Sequence, residues 1–284
     1  MHRTIAFALL IAQCFARTQV SPELYNKFER YTAFAAASYA DSCTIPPSGS
    51  TVVQYFNDNA TDTQATLFED AQAKELIIAF RGTSTPKDLD TDFNFSLVPL
   101  TAPGTDCSKC KVHSGFQEAY QALSNEVVSK AESELSAHSD YSLIVTGHSL
   151  GGGIAAIATA ALTGLGHEVT TYTFGEPKNG DQEFADYLES LVSDENYYRI
   201  THANDGVPQI PPALLHYVHH GDEYWQKEKD NNDATTTFAC EKKSSDCNAA
   251  QDFGDNPINR AHLTYTSSVI GNSLNIVACG AAGF

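Results

Sequence analysis

The residues best suited to chemistry lie in the stretch Tyr141-Ser-Leu-Ile-Val-Thr-Gly147-His148-Ser149-Leu150-Gly151-Gly152-Gly153, followed by the alanine-rich segment 154–162. This order reads as strand, sharp turn and helix. Gly147 and Gly151 flank Ser149 at the Gly-x-Ser-x-Gly spacing, where missing side chains let strand and helix pack closely around a strained turn. A serine on such a turn presents its hydroxyl as a nucleophile for acyl transfer. The helix behind it offers the Leu150 backbone N–H, and the positive end of its dipole, to a developing oxyanion. His148 adjoins the serine, but the turn should point its ring away from the hydroxyl, and it is read as structural.

A serine hydroxyl needs a base, and the base needs an orienting carboxylate. Asp205 is the best acid: it follows the β-type run 197–201 and precedes the turn-rich Gly206-Val-Pro-Gln-Ile-Pro-Pro212. Asp181, Asp186 and Glu189 lie in a helix-like polar stretch and read as solvated. Five histidines follow that run, His202, His216, His219, His220 and His262. His202 precedes Asp205 and breaks the order serine, acid, base. The group from His216 to His220 alternates in a candidate strand pair ending at Tyr224-Trp225, where a metal cluster is an open alternative. His262 opens a late helix-like segment that could reach over Ser149, and order favours it.

These residues must be carried by a framework. Short β-type runs at 52–56, 75–80, 141–146, 169–174 and 197–201 alternate with helix-length stretches at 115–136, 154–162 and 182–191. The runs 76–80 and 143–145 are almost uninterrupted apolar sequence, as strands buried on both faces are. Alternation of this kind predicts an α/β fold with a central, mostly parallel sheet flanked by helices. An amphipathic segment before it opens at Ser21-Pro22-Glu23, a capping residue followed by proline at the first helical position. No repeat or linker divides the chain, so one domain is expected over 17–284.

Residues 1–16 run from Met1-His2-Arg3 through an apolar stretch to Gln13-Cys14-Phe15-Ala16, the order of a secretory signal peptide. A secreted, extracellular protein follows. Cleavage after Ala16 would remove Cys14 and leave an even set of six cysteines, suited to three disulfides. Short loops suggest Cys107 with Cys110 and Cys240 with Cys247, leaving Cys43 with Cys279. Zinc is the competing reading for Cys107, Cys110 and His113. Asn59-Ala60-Thr61 and Asn94-Phe95-Ser96 are glycosylation sequons, meaningful only on a secretory route.

Charge excludes other classes. With 17 Lys and Arg against 35 Asp and Glu, the formal charge is −18, and no basic cluster exceeds Lys242-Lys243. Nucleic acid and anionic membranes are therefore poor partners.

The phrases Phe80-Arg-Gly-Thr83, Gly147-His-Ser-Leu-Gly151, Tyr172-Thr-Phe-Gly-Glu-Pro177, Thr201-His-Ala-Asn-Asp205 and Ala261-His262-Leu263 resemble the secreted fungal class 3 lipase family. The likeness spans about Leu24 to Cys279. It is nearest the type-A feruloyl esterases, which Leu24-Tyr25-Asn26 and Ala40-Asp41-Ser42-Cys43 also resemble. The resemblance implies an α/β-hydrolase fold with a short lid at about 85–93. It also implies the triad Ser149, Asp205 and His262, with Thr83 beside Leu150 in the oxyanion hole, and no metal or organic cofactor. Where feruloyl esterases hold a phenolic hydroxyl with two tyrosines, this chain has Phe95 and Phe116, which favours an apolar acyl group. The expected reaction is hydrolysis of carboxylic esters through an acyl-enzyme, with acylglycerols as substrate and hydroxycinnamoyl esters of plant cell walls as the alternative. The lid, Thr85-Pro-Lys-Asp-Leu-Asp-Thr-Asp-Phe93, carries four charges and no tryptophan, which implies at most transient contact with a lipid–water interface. No obligate protein partner is implied.

Overall fold

The computed structural model describes residues 17–83, 95–242, 245–271 and 279–280. The leader 1–16, the lid segment 85–93 and Asn94 lie outside the described residues.

In chain order the strands are β1 (Thr18–Gln19), β2 (Thr51–Asp58), β3 (Thr63–Asp70), β4 (Glu75–Phe80), β5 (Leu97–Pro99), β6 (Lys111–His113), β7 (Ser142–His148), β8 (Val169–Phe174), β9 (Tyr197–His202), β10 (Glu223–Gln226), β11 (Thr237–Cys240), β12 (Thr264–Tyr265) and β13 (Ser268–Val269). The α-helices are α1 (Pro22–Ala37), α2 (Ser114–Ala137), α3 (Leu150–Gly164) and α4 (Gln182–Leu191). One nine-stranded sheet runs β1-β11-β10-β9-β8-β7-β4-β3-β2. Its centre, from β4 through β7, β8 and β9 to β10, is parallel. Both flanks are antiparallel, so the expected parallel character holds for the centre and the sheet as a whole is mixed.

Strand β4 shows why its sequence is apolar without alternation. Leu76, Ile78 and Phe80 point into the core beneath α2, α3 and α4, while Ile77 and Ala79 point into the core beneath α1. Side chains alternate across a strand, so a strand covered on both faces must be apolar at every position. On the α1 side the core is aromatic. Tyr31 stacks on Tyr172 at 4.1 Å, Tyr172 stacks on Tyr198 at 4.8 Å, and Phe28 meets Tyr172, Tyr198 and Tyr224 edge-on. Helix α1 begins where the sequence places it, with the Ser21 hydroxyl accepting from the Leu24 N–H at 3.1 Å and Pro22 in the first turn.

The helix α3 starts earlier than the alanine run indicates, taking in Gly151, Gly152 and Gly153. Glycine is a poor helix former, but the packing here demands small residues. Strand β3 had no counterpart among the expected runs, because Thr63, Thr66, Glu69 and Asp70 interrupt its apolar residues; hairpin pairing with β2 and β4 forms it. The segment 216–220 forms no strand pair: β10 begins only at Glu223 and pairs in parallel with β9. Where a helix is expected from His262, the described residues form a turn and the short hairpin β12–β13.

Three disulfides are formed, Cys43–Cys279, Cys107–Cys110 and Cys240–Cys247. The first joins residues 236 apart in sequence and stabilises by about 4 to 5 kcal/mol in the chain-entropy view. Replacing Phe28, fully buried at the centre of the aromatic face, with alanine should destabilise the protein by about 3–5 kcal/mol. Urea unfolding of Phe28→Ala checks this; a loss below 1 kcal/mol would show that the ring is not part of the core.

Candidate active site

Ser149 follows β7 and caps the first turn of α3, with φ 58° and ψ −128°. A non-glycine residue in that region is strained, and the surroundings hold it there. Its N–H donates to the Phe174 carbonyl of β8 at 2.9 Å. The flanking glycines are set by contact: a Cβ on Gly147 would lie 2.2 Å from the Gly151 carbonyl oxygen, and one on Gly151 would lie 2.2 Å from that of Phe80. Strand, turn and helix thus fit together only without side chains at those two positions. Leu150 opens α3, so its N–H is among the first-turn amides with no intrahelical acceptor.

Asp205 sits just beyond β9, fully buried. Its carboxylate meets His262 Nδ1 at 2.9 and 3.0 Å, accepts the Val207 N–H at 2.9 Å, and accepts the Tyr265 hydroxyl. Burial and the adjacent Asp205 charge raise the Tyr265 hydroxyl well above its ordinary pKa, so it remains a donor. Asn248 and Asn259 hold the loop from outside, donating to the carbonyls of Asp205 and Asn204 at 2.8 and 2.6 Å. With Nδ1 committed to Asp205, neither His262 Nε2 nor the Ser149 hydroxyl has a hydrogen-bond partner among the described residues. Both residues line one small cavity of about 10 Å³, together with Tyr39, Thr83, His148, Ile258, Leu263 and Gly271. Thr83 follows β4, and the loop is anchored by Arg81, whose N–H donates to Gln64 and whose guanidinium donates to the Asp62 carbonyl and carboxylate, each at 2.7 Å.

Behind the serine turn, Glu176 is completely buried, and a Cβ on Gly152 would lie 3.2 Å from its own Cβ. Thr173, Asn179 and Tyr197 donate to its carboxylate. Burial nonetheless pushes its pKa up to about 7, with those donors and Arg199 only partly offsetting it.

The expected residues Ser149, Leu150, Thr83, Asp205 and His262 are therefore brought together. Phe116 is not at this cavity: it is buried, stacked on His113 at 4.0 Å, and lies against Gly153. Phe95 is half-buried with its edge toward His113 at 6.5 Å, and it too lies outside the residues lining the Ser149 cavity. The zinc alternative fails chemically, because Cys107 and Cys110 are joined to each other and offer no thiolate. The histidines of 216–220 diverge: His219 Nε2 donates to the Pro208 carbonyl, while His220 lies beside Glu176 and edge-on to Tyr197. Asn59 is exposed in the turn between β2 and β3. Sequence reasoning missed Tyr265, three residues after His262, and Tyr39, whose place beside the cavity leaves no local mark in the sequence.

A central parallel sheet with a serine on the strand–helix turn, followed in chain order by a buried Asp–His pair, defines an α/β-hydrolase. Residues 77–215 match the family described as Lipase (class 3). The chain is 31% identical over 251 residues to a lipase of Rhizomucor miehei, covering 81% of this chain and 66% of the relative. It is 33% identical over 156 residues to the secreted mono- and diacylglycerol lipase 1 of Fusarium solani, 55% of this chain but only 45% of that protein's length. The structure of lipase II from Rhizopus niveus superposes with a TM-score of 0.80 at 25% identity, covering 91% of this chain and all of that one. The chain belongs to the fungal class 3 lipase family of carboxylic-ester hydrolases.

Folded protein holds the Glu176 proton to about pH 7, whereas an unfolded chain gives it up near 4.5. Its contribution to stability is complete below about 4.5 and is lost as pH rises through 7, a change on the order of 3 kcal/mol. The unfolding free energy of Glu176→Gln, compared with the parent at pH 5 and pH 8, should decline less over that interval. Equal declines in the two proteins would place the charged carboxylate in the fold at both pH values.

Proposed function

We propose that this protein is a secreted lipase that hydrolyses acylglycerol esters through an acyl-enzyme. Ser149 Oγ attacks the ester carbonyl while His262 Nε2 accepts its proton, and Asp205 orients the ring and stabilises the imidazolium. The C–O bond to the alcohol then breaks, with His262 returning the proton to the leaving oxygen. Water repeats the sequence on the acyl-enzyme, releasing the carboxylic acid and regenerating Ser149. Leu150 N–H and Thr83 hold the oxyanion, at about 3 kcal/mol per donor.

The observation that carries this reading is the buried His262–Asp205 pair whose unpartnered Nε2 shares a cavity with the unpartnered Ser149 hydroxyl. Acylglycerols are favoured because the Fusarium relative is a mono- and diacylglycerol lipase, and because Phe95 offers no hydroxyl to bond a phenol. Export is supported by the leader-like 1–16, three disulfides and the secreted relative. The domain is assigned to 17–284 with a lid at 85–93. Phe95 is assigned to substrate contact, and Asn59 and Asn94 to glycan attachment.

Ser149→Ala should abolish covalent labelling by an active-site organophosphonate, and labelling that persists would remove Ser149 from the reaction. On the parent enzyme, fatty acid release from emulsified diacylglycerol should exceed hydrolysis of methyl ferulate; a large preference for ferulate would replace the acylglycerol assignment.

A further inference from the structure

His148, adjacent to Ser149, is buried with both ring nitrogens engaged. Nε2 lies 2.8 Å from the His262 carbonyl oxygen, and Nδ1 lies 2.8 Å from the Tyr39 hydroxyl. A carbonyl oxygen only accepts, so Nε2 carries the proton, Nδ1 is an acceptor, and the Tyr39 O–H donates to it. The Tyr39 oxygen in turn packs on the Gly82 backbone, so close that a Cβ on Gly82 would come within 2.1 Å of it. Gly82 immediately precedes Thr83. A hydrogen-bonded chain therefore runs from Tyr39, packed on Gly82, through His148 to the backbone of His262, and all three of Tyr39, His148 and His262 line the Ser149 cavity.

We propose that Tyr39 and His148 are positioning residues for the hydrolysis, forming a buried relay that sets the distance between the oxyanion loop and the base His262. The inference rests on the ester-hydrolase reading above. Neither residue touches the reacting atoms. Thr83 and His262 come from segments far apart in sequence, and the relay packs on the Thr83 loop at one end and bonds the His262 carbonyl at the other. The rings of His148 and His262 are 4.5 Å apart, so the relay must also remain uncharged while His262 becomes an imidazolium. Burial, reinforced by the proximity of His262, holds His148 well below its ordinary pKa and meets that requirement. The Cβ of a residue larger than glycine at 271 would press on His148 at 3.0 Å, so the ring is confined from that side as well.

The test uses active-site-titrated enzyme and a soluble p-nitrophenyl ester, with a thermal melt confirming that each variant is folded at assay temperature. Tyr39→Phe should lower kcat by roughly 10- to 100-fold with KM within about threefold, the scale expected from a small displacement of a catalytic group. His148→Leu should lower it at least as far. His148→Asn, which keeps one donor and one acceptor, should recover part of the loss. In the double variant, Tyr39→Phe should add less than about twofold to the effect of His148→Leu, because the chain is already cut. The proposal is overturned if folded Tyr39→Phe keeps kcat within threefold of the parent, if His148→Asn recovers nothing, or if the two losses multiply. Should His148→Leu not fold, the same cycle built on Tyr39→Phe and His148→Asn decides the matter. Failure of Ser149 labelling would instead strike the underlying reading, since every relay variant keeps Ser149.

Discussion

The backbone of Ser149, held at a positive φ between a strand and a helix, is the constraint around which the rest of the molecule is arranged. That conformation costs on the order of 1–3 kcal/mol and persists only where neighbours enforce it. Here they are the Phe174 carbonyl, the contact of Gly147 with the helix, and the contact of Gly151 with Phe80. Because those neighbours belong to β4, β7, β8 and α3, the turn is as rigid as the sheet itself. The same sheet delivers the other groups: Thr83, Ser149, Glu176 and Asp205 each follow the C-terminal end of a central strand, which is where open α/β sheets gather their functional residues.

His262 is held differently. It arrives on a segment with little regular structure, so hydrogen bonds to fixed elements must supply what a strand would otherwise provide. Asp205 fixes one ring nitrogen, His148 holds its carbonyl, Tyr265 braces the carboxylate, and His202 engages the preceding Ala261 carbonyl at 3.0 Å. This division places the nucleophile on covalently continuous secondary structure and the base on a polar scaffold. A base that must accept and return a proton without moving gains from several shallow restraints acting together.

How much of this was readable in the sequence depended on how local the cause was. The Ser149 turn was legible because its glycines sit two residues to either side, and β4 and β7 were legible because double burial leaves an apolar run. Capping by Ser21 is equally local. Strand β3 was hidden because more than half of it is polar, and its existence depends on pairing with β2 and β4 on either side of it. The turn after His262 was mistaken for a helix because its residues suit either state, and only the hydrogen bonds to Asp205 and His148 decide. Tyr39 had no signal at all: it is one tyrosine among thirteen, and its position follows from how α1 crosses the sheet. Phe116 shows the opposite error. Its position in a motif suggested contact with substrate, whereas the absence of a side chain at Gly153 draws its ring into the core.

The bridge between Cys43 and Cys279 encloses every residue of the reaction centre, from Thr83 to His262, within one covalent ring. A protease that nicks any exposed loop in between would open the backbone yet release nothing, since both halves stay tethered through sulfur. Two cuts, or one cut and a reductant, are needed to shed a fragment. For an enzyme expected to work outside the cell, among other hydrolases, the ring converts a first cleavage from a loss of material into a local defect.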